Sequence, residues 1–464
     1  MKNKKTCNRE CEDNMVNSSS NLSDLLVRGI KNIGDVNSEF MQVLEREYER
    51  QKSVLMMVAS SSYASPSVLA CMGMPTVNIT AEGYPHARYH AGCVEVDKIE
   101  EAAITNAKQI FKAAYANVQP HSATTANEIV TYSLVKPGGL IMGMNLSSGG
   151  HLSHGASVSY SGADFQVVRY GLDENYLIDY DKVEELALQH HPKMIICGTT
   201  AYCRKIDFKR FREIADKVGA YLLADISHIS GLVIAGLHES PIDYAHVTTT
   251  CTHKQLFGPR GGLILSGKDA KSKVFGENIT LEDKLQSAVF PFFQGAPMIN
   301  QIAAKAIALE LAGSLEYTQT MQRVVDNAKI LSNHLQSKGF DIISSGTENH
   351  IVLVDLSNKC IGGDVAEKAL EECGIIVNKN GVPNKKINGN NTSKRPAGIR
   401  IGTNGISQRN MTAEAVQKCA SMIADVLNHT HGASLETCKV DDAVKFDVLR
   451  KVEELCQEFP IPGY

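Results

Sequence analysis

Hydrophobic positions follow helical spacing early in the chain and form short apolar runs further along it. Apolar residues recur near helical spacing over 40–55 and over 96–110, which predicts two helices. Beyond residue 120, apolar runs at 140–144, 194–197, 221–224 and 262–265 predict buried strands, and helical patterns fall at 124–134, 181–190 and 207–217. Because parallel strands need crossover connections, this alternation predicts an α/β fold with a mostly parallel sheet covered on both faces.

The two ends of the chain have different patterns. A helical stretch at 297–335 is followed by expected strands near 341–345, 350–356, 375–378 and 398–402, and by expected helices near 363–373, 412–428 and 442–457. Polar residues at 384–394 predict a loop, and polar residues at 1–35 predict a mobile arm. We therefore expect a polar arm over 1–35, a large domain over 36–325 and a smaller α+β domain over 326–464.

Composition and charge exclude several classes of protein. The 464 residues are 43% hydrophobic and carry a formal net charge of -4, which argues against an electrostatic DNA-binding protein. No apolar run approaches the roughly 18 residues of a membrane span, and the first residues lack the apolar core of a secretory signal. We expect an intracellular protein of the cytoplasm or the mitochondrion, with its twelve scattered cysteines as reduced thiols.

The segment HVTTTCTHKQLFGPRGG, residues 246–262, contains the most informative lysine. A β-branched strand leads directly into His253 and Lys254, and a glycine-proline turn follows. Most lysines lie in solvated loops. The flanking strand and the glycines, which allow close approach, favour instead a desolvated Lys254 that can form a Schiff base.

Asp225 lies at the carboxyl end of the apolar run in YLLADISHISG, residues 221–231. Open α/β sheets bind ligands at such strand ends, although an aspartate there can equally cap a helix. Together with Lys254 it matches the pair that pyridoxal phosphate requires, a Schiff-base lysine and a carboxylate for the pyridinium nitrogen.

Two further segments offer groups for anions. In PHSATTAN, residues 120–127, Ser122 and Thr124 open a helix whose N-terminus can hold a phosphate, although capping is the commoner use of such residues. In AGIRIGT, residues 397–403, Arg400 lies in an apolar strand. Its guanidinium suits bidentate carboxylate binding as well as structural pairing.

Eight motifs in register resemble the serine hydroxymethyltransferase family, from about residue 37 to the C-terminus. They are AEGYP (81–85), NVQPHS (117–122), GGHLSHG (149–155), ADISHISGL (224–232), THK-x-x-x-GPRGG (252–262), VFP-x-x-QG (289–295), NKN (378–380) and GIRIGT (398–403). The resemblance implies a fold-type-I, aspartate-aminotransferase-like enzyme that uses pyridoxal phosphate and no metal. Its reaction moves the hydroxymethyl carbon of serine to tetrahydrofolate, giving glycine and 5,10-methylenetetrahydrofolate. The resemblance implies a homodimer as the minimum active unit, with a tetramer as the alternative assembly.

The resemblance also implies roles for individual residues. Lys254 would carry the cofactor, with Asp225 on the ring nitrogen, His151 stacked on the ring, and His228 and Thr200 near the ring hydroxyl. The phosphate would be held by Ser122, Ala123 and Thr124 of one subunit and by Gly295 of its neighbour. The substrate carboxylate would be bound by Ser60 and Arg400. The proton-transferring acid/base would be Glu82, and the folate pocket would be lined by Leu146, Gly150, His151 and Leu152.

The chain departs from the family pattern at several of these motifs. Thr80 and His90 replace two tyrosines, Ser61 replaces an acidic residue, Cys251 interrupts a threonine run, and Phe292 and Phe293 replace glycines. Each lost tyrosine hydroxyl is expected to cost about 1–3 kcal/mol if its partner stays buried. A weakly active or inactive member that binds pyridoxal phosphate and partners an active paralogue therefore remains as an alternative. Another pyridoxal phosphate lyase, such as a threonine aldolase, is disfavoured by GGHLSHG and Glu82.

Overall fold

The computed structural model describes residues 7–359, 361–383, 396–432 and 434–464. The loop predicted at 384–394 lies outside the described residues. The helices are α1 (Cys7–Val36), α2 (Ser38–Ser53), α3 (Pro66–Met72), α4 (Val94–Phe111), α5 (Ala123–Leu134), α6 (Tyr160–Ala163), α7 (Tyr180–His190), α8 (Phe208–Val218), α9 (Ser230–Ile234), α10 (Leu281–Ser287), α11 (Ile299–Ala312), α12 (Leu315–Ser337), α13 (Gly363–Glu372), α14 (Asn404–Gln408), α15 (Ala413–Asn428) and α16 (Asp442–Glu458). The strands are β1 (Leu55–Met56), β2 (Gly83–Tyr84), β3 (Ala87–Arg88), β4 (Tyr115–Asn117), β5 (Leu140–Met144), β6 (Gln166–Tyr170), β7 (Met194–Gly198), β8 (Tyr221–Asp225), β9 (Val247–Cys251), β10 (Gly262–Ser266), β11 (Asp341–Ile342), β12 (Ile351–Asp355), β13 (Ile375–Ile376), β14 (Asn378–Asn380), β15 (Gly398–Gly402), β16 (Thr430–His431) and β17 (Lys439–Val440).

Residues up to Ser53 form a unit of their own. The helix predicted over 40–55 is confirmed as α2, which begins after Asn37, whose side-chain oxygen accepts the Phe40 amide at 2.9 Å. The polar arm expected over 1–35 is instead helical from Cys7, because α1 runs to Val36. The sequence pattern did not predict this helix, because the segment has too few apolar residues to show a helical period. None of the described helices is both long and apolar enough to cross a membrane.

The second unit, from Val54 to Tyr464, is built on a large sheet. In the described part of the chain this sheet has seven strands in the order β4-β10-β9-β8-β7-β5-β6. Strand β10 is antiparallel to both neighbours, and the remaining neighbours are parallel, which confirms the predicted mostly parallel sheet. The short edge strand β4 and the half-exposed edge strand β6 were not predicted, because neither shows a long buried apolar run.

Both faces of the large sheet are buried. Neighbouring strand residues point to opposite faces, so Ile141 and Ile196 lie in one hydrophobic core while Met142 and Ile195 lie in the other. Helices pack on both sides, with α4 and α8 contributing to one core and α5 and α10 to the other. The prediction that helices cover both faces of the sheet is confirmed. With both faces covered, a ligand can bind at the carboxyl ends of the strands, as is usual in open α/β sheets.

A smaller α+β layer follows, as predicted. Its antiparallel sheet has the order β11-β12-β15-β14. The strand expected at 341–345 ends at Ile342 and continues as a helical turn, and the strand expected at 375–378 is divided into β13 and β14.

Two elements connect the layers in ways that the sequence pattern did not predict. Strand β1 pairs in parallel with β13, and Leu55 is buried in the C-terminal core although it lies in the sequence of the expected large domain. Helix α12 is continuous across the proposed boundary at 325/326, with Val325 in a core of the large sheet and Ala328 in the C-terminal core. The helix therefore serves as a shared wall of both layers.

A buried lysine on α11 stabilises the turns that lead to the site. The Nζ atom of Lys305 donates to the carbonyls of Val118 at 2.6 Å, Pro120 at 3.1 Å and Gly262 at 3.1 Å. A Cβ on the neighbouring Gly261 would lie 2.2 Å from Lys305 Cε, so a larger residue there would displace the end of the lysine side chain. The Lys305 amino group, whose pKa burial lowers to about 7, thus joins the loop before α5 to the start of β10.

Replacing Lys305 with methionine is expected to lower the free energy of unfolding by roughly 2–5 kcal/mol. Three carbonyls lose their donor, and each buried unpaired polar group costs about 1–3 kcal/mol, but methionine also removes the cost of burying the amine, which offsets part of the loss. Urea unfolding of Lys305→Met, with Lys329→Met on the exposed face of α12 as control, measures the difference. Equal stability of both variants would show that the lysine is not needed to hold these turns.

Candidate active site

Asp225 and Lys254 lie at the carboxyl ends of neighbouring parallel strands. Asp225 is the last residue of β8 and pairs in register with Thr249 of β9, and Lys254 follows three residues after β9. Asp225 does not cap a helix, because α9 begins only at Ser230. The helix-capping alternative is thus excluded, and the strand-end location favours ligand binding.

The Asp225 carboxylate is buried and fully hydrogen-bonded. Its Oδ2 accepts from Asn127 Nδ2 at 2.8 Å and His154 Nε2 at 3.0 Å, and its Oδ1 accepts from the amide and hydroxyl of Ser227 at 3.0 and 2.6 Å. Burial alone would raise the pKa of Asp225, but the His154 hydrogen bond, the nearby imidazoles and Ser227 hold that pKa well below its usual range. Asp225 therefore stays ionised and provides a buried negative charge at the carboxyl ends of β8 and β9.

His151 is connected to the same network. Asn127 also donates to Ser153 Oγ at 2.9 Å, and Ser153 hydrogen-bonds to His151 Nδ1 through its hydroxyl at 2.7 Å and its amide at 3.2 Å. Because the amide donates to it, Nδ1 is an acceptor. Burial, with the nearby His154, lowers the pKa of His151 to about 4, so its ring is neutral at pH 7 and fixed in orientation.

The nitrogens and carboxylate of His151, His154 and Asp225 lie within 4.8 Å of one another. Such a cluster has the spacing of a metal site. The hydrogen bonds to the Asp225 oxygens and to His151 Nδ1 account for its geometry.

A second histidine pair, His228 and His350, is buried within the electrostatic range of Lys254 and Arg400. His228 Nδ1 is 3.3 Å from His350 Nε2, and the two rings are nearly parallel, at 18°. Burial and the positive charges of Arg400 and Lys254 lower the pKa of His350 to about 3, and burial with the same cations lowers that of His228 well below its usual value. Both rings are therefore neutral at pH 7.

Replacing His350 with glutamine is expected to make folding stability less sensitive to acid. The unfolded imidazole gains a proton below its ordinary pKa of about 6.5, whereas the folded one stays neutral to about 3. Keeping His350 neutral in the folded protein therefore does not affect the free energy of unfolding above about pH 6.5. Below that pH it lowers the free energy of unfolding, by about 2 kcal/mol at pH 5. Urea unfolding at pH 7.5 and 5 should therefore show a smaller loss in His350→Gln than in wild type, with the exposed His190→Gln as control. An unchanged pH dependence would contradict this role.

Arg400, on β15, points a charged group towards the same strand ends. Its Nε donates to Asn378 Oδ1 at 3.0 Å, and its Nη1 donates to the Thr200 carbonyl. Burial lowers its pKa to about 10, so it stays charged at pH 7. Among the described residues, no partner engages Nη2, which leaves a donor for a substrate carboxylate.

Two residues that the sequence analysis assigned to the site, Thr200 and Ser60, lie in segments that hydrogen bonds hold in place. Thr200 donates its hydroxyl to the Gly150 carbonyl at 3.1 Å. The segment of Ser60 is attached at both ends, because Asn404 Nδ2 donates to the Ala59 carbonyl at 3.2 Å and Ser62 donates to the His253 carbonyl at 2.8 Å. Ser60 is thus held between the end of β15 and the Lys254 turn.

The predicted phosphate and folate residues border this group. Ser122 caps α5, accepting the Thr125 amide at 3.0 Å, so the capping role is observed, and Ala123 and Thr124 form the positive first turn of the helix. Helix α5 also carries Asn127, which contacts Asp225. Two leucines predicted for the folate pocket, Leu146 and Leu152, are 48% and 46% exposed and offer apolar surface near Gly150.

Glu82 and Gly295 form a separate group. A Cβ on Gly295 would lie 3.5 Å from Glu82 Oε1, and Glu82 Oε2 is 3.4 Å from His90 Nε2. In the part of the chain that is described, no hydrogen bond or ion pair of Glu82 reaches Lys254 or Arg400. The family resemblance implies that Gly295 serves the neighbouring subunit and leaves Glu82 unassigned to either subunit; in a single chain these two residues lie side by side.

The remaining departures lie around these groups. Cys251 is buried below the site, with its Sγ 3.6 Å from the Ser227 carbonyl. Phe293 packs edge-on against Tyr132, with ring centroids 5.5 Å apart, and Phe292 is 73% exposed.

Sequence reasoning missed three residues of the site: Asn127, His154 and His350. Signals existed for two of them, because Asn127 ends PHSATTAN and His154 lies in GGHLSHG. His350 directly precedes β12 and had no motif to mark it.

Comparisons with known proteins identify relatives along nearly the whole chain. The family model of serine hydroxymethyltransferase matches residues 33–423. A serine hydroxymethyltransferase of Dichelobacter nodosus (strain VCS1703A) is 46% identical over 432 residues, covering 93% of this chain and 98% of that protein. Those of Wolbachia sp. subsp. Drosophila simulans (strain wRi) and Legionella pneumophila (strain Lens) are each 47% identical, with the same two coverages. On this similarity along nearly its whole length, the chain belongs to the serine hydroxymethyltransferase family.

Proposed function

We propose that this protein transfers the hydroxymethyl carbon of serine reversibly to tetrahydrofolate, giving glycine and 5,10-methylenetetrahydrofolate, with pyridoxal phosphate bound covalently at Lys254. The observation that carries the proposal is the placement of Lys254, a charged buried Asp225 and Arg400 around one set of strand ends in a chain of this family. The weakly active alternative is not favoured, because relatives named serine hydroxymethyltransferase match 93% of the chain at 46–47% identity.

The residues present fit the cofactor. When bound, pyridoxal phosphate supplies an electron sink for the substrate carbanion. The ionised Asp225, held by four hydrogen bonds, would keep the ring nitrogen protonated. The neutral, fixed His151 ring would stack on the cofactor, and His228 and Thr200 would lie near its hydroxyl. Ser122, Ala123 and Thr124 would hold the phosphate at the positive end of α5.

The substrates would be bound by neighbouring groups. Arg400 Nη2, with Ser60, would orient the serine carboxylate, and Leu146, Gly150 and Leu152 would line the folate pocket. Glu82 would transfer the proton of the serine hydroxyl or of the folate nitrogen.

A homodimer, alone or as half of a tetramer, would complete each site. Gly295 is expected to reach the phosphate of the neighbouring subunit. Glu82 lies beside Gly295, and among the described residues no hydrogen bond or ion pair joins it to Lys254 of its own chain, so we propose that Glu82 also serves the neighbour's site. An intracellular location, in the cytoplasm or the mitochondrion, stays a prediction.

Methylenetetrahydrofolate formation from serine by the purified protein, reconstituted with pyridoxal phosphate, tests the proposal. We expect turnover that depends on both serine and tetrahydrofolate. The double reversion Thr80→Tyr, His90→Tyr is the informative comparison, because it restores the two family tyrosines. An inactive wild type whose activity appears only in the reversion would overturn the proposal in favour of the weakly active alternative.

A further inference from the structure

The backbone around Glu82 is fixed by hydrogen bonds to three consecutive carbonyls, those of residues 81–83. Arg88 Nη1 donates to the carbonyls of Ala81 at 3.1 Å and Gly83 at 2.8 Å, which flank Glu82. The Tyr89 amide donates to the carbonyl of Glu82 itself at 3.0 Å. Arg88 therefore binds the carbonyl on each side of Glu82 and helps to set the direction in which the Glu82 side chain leaves the backbone.

The chain reversal that brings Arg88 back to Glu82 is specific. Strands β2 and β3 pair with Gly83 opposite Arg88. Gly83 has a φ of 93°, and a Cβ there would lie 2.3 Å from the Ala87 carbonyl oxygen. Only glycine fits this position without moving the turn.

Arg88 is itself held rigidly by acids of α4. Its side chain is 4% exposed, with Nε 2.8 Å from Asp97 Oδ1 and Nη2 2.6 Å from Glu100 Oε2. Each of the three guanidinium nitrogens thus has its own partner set, in a geometry that a lysine ammonium cannot reproduce.

The same network reaches the loop before α5. Gln119 Nε2 donates to the Gly83 carbonyl at 3.0 Å and to Glu100 Oε1 at 2.8 Å. Gln294, the neighbour of Gly295, donates to the Gln119 carbonyl at 3.0 Å. The turns that carry Glu82 and Gly295 are therefore fixed relative to each other by buried hydrogen bonds.

We propose that Arg88 is a positioning residue for Glu82, acting through the carbonyls of Ala81 and Gly83. This inference rests on the acid/base role of Glu82 under the proposed function. Movement of a catalytic group by about 1 Å can cost roughly 100-fold in rate. Loss of the guanidinium fork should therefore lower the rate without removing any group that touches substrate or cofactor.

The test compares Arg88→Lys with Arg212→Lys in the full-length protein loaded with pyridoxal phosphate. Arg212 is a matched control, because it also contacts two carboxylates, Asp216 and Asp269, and a backbone carbonyl. We expect Arg88→Lys to lower kcat about 10- to 100-fold with the serine KM changed less than about threefold. Hydrogen exchange over residues 79–91 should rise in Arg88→Lys, with and without cofactor, and stay unchanged in Arg212→Lys.

A double-mutant cycle with Glu82→Gln separates the two proposals. If Arg88 acts through Glu82, Arg88→Lys has little further effect on kcat in a Glu82→Gln protein. If Glu82→Gln lowers kcat and Arg88→Lys lowers it by the same factor in both backgrounds, the positioning role of Arg88 is overturned while the role of Glu82 stands. Full activity of Glu82→Gln overturns the role of Glu82 and with it this inference. Should Arg88→Lys not fold, Asp97→Asn removes one anchor of the same guanidinium and must give the same exchange and kcat effects.

Discussion

Lys254→Ala is expected to abolish covalent attachment of pyridoxal phosphate and to lower transfer of the serine carbon roughly 10³- to 10⁶-fold, a range typical for removal of a group that acts covalently. Lys254 is the amine that follows β9, and it lies close enough to His228 and His350 for its charge to depress their pKa values. Alanine cannot form the bond to the cofactor, whatever else the site retains.

Mass spectrometry after borohydride reduction measures the attachment directly. Wild type should carry the cofactor mass on the peptide containing Lys254, and Lys254→Ala should carry none. Lys271→Ala, at an exposed lysine paired with Glu282, is the control and should behave as wild type. Labelling at another lysine in wild type would refute the assignment.

Arg400→Lys is expected to raise the serine KM roughly 10- to 100-fold. A charge-assisted hydrogen bond contributes about 1.5–3 kcal/mol, and each 1.4 kcal/mol is about tenfold in binding. Arg400 binds Asn378 through Nε and the Thr200 carbonyl through Nη1 while leaving Nη2 for substrate. A lysine has one nitrogen and cannot hold both protein partners and the carboxylate.

Steady-state kinetics at saturating tetrahydrofolate measure this change. Cofactor attachment should be retained, because Arg400 does not contribute to it under the proposed assignment. Arg210→Lys, at a surface arginine paired with Glu184, is the control. An unchanged serine KM in Arg400→Lys would mean that another group binds the carboxylate.

The central buried strands of the large sheet and most helices were predictable because their signals are local. The buried strands β5, β7, β8 and β10 appear as apolar runs, and strand ends mark Asp225 and Lys254 as candidates. Elements whose burial depends on distant partners were not predictable. Leu55 and Met56 form a strand only because β13, more than 300 residues later, lies beside them.

The network around Asp225 shows the same limit at the level of side chains. Asn127 reads as an ordinary residue of a capped helix until the fold brings it 2.8 Å from Asp225, 98 residues away. His350 becomes part of the site through contact with His228, which is 122 residues away. A hydrogen bond requires two atoms to be about 3 Å apart in space. The positions of two residues in the sequence do not show whether the fold brings them that close.

The sequence by itself determined the α/β architecture, the family resemblance and the residue types needed for pyridoxal phosphate chemistry, because periodicity and motif spacing are properties of local chain segments. Only the tertiary structure decided which groups share a site. It placed Lys254, Asp225 and Arg400 around one set of strand ends and left Glu82 and Gly295 as a second group, held by Arg88 and Gln119. The physical reason is that charge, burial and hydrogen bonding depend on distances in space, which the packing of distant segments sets.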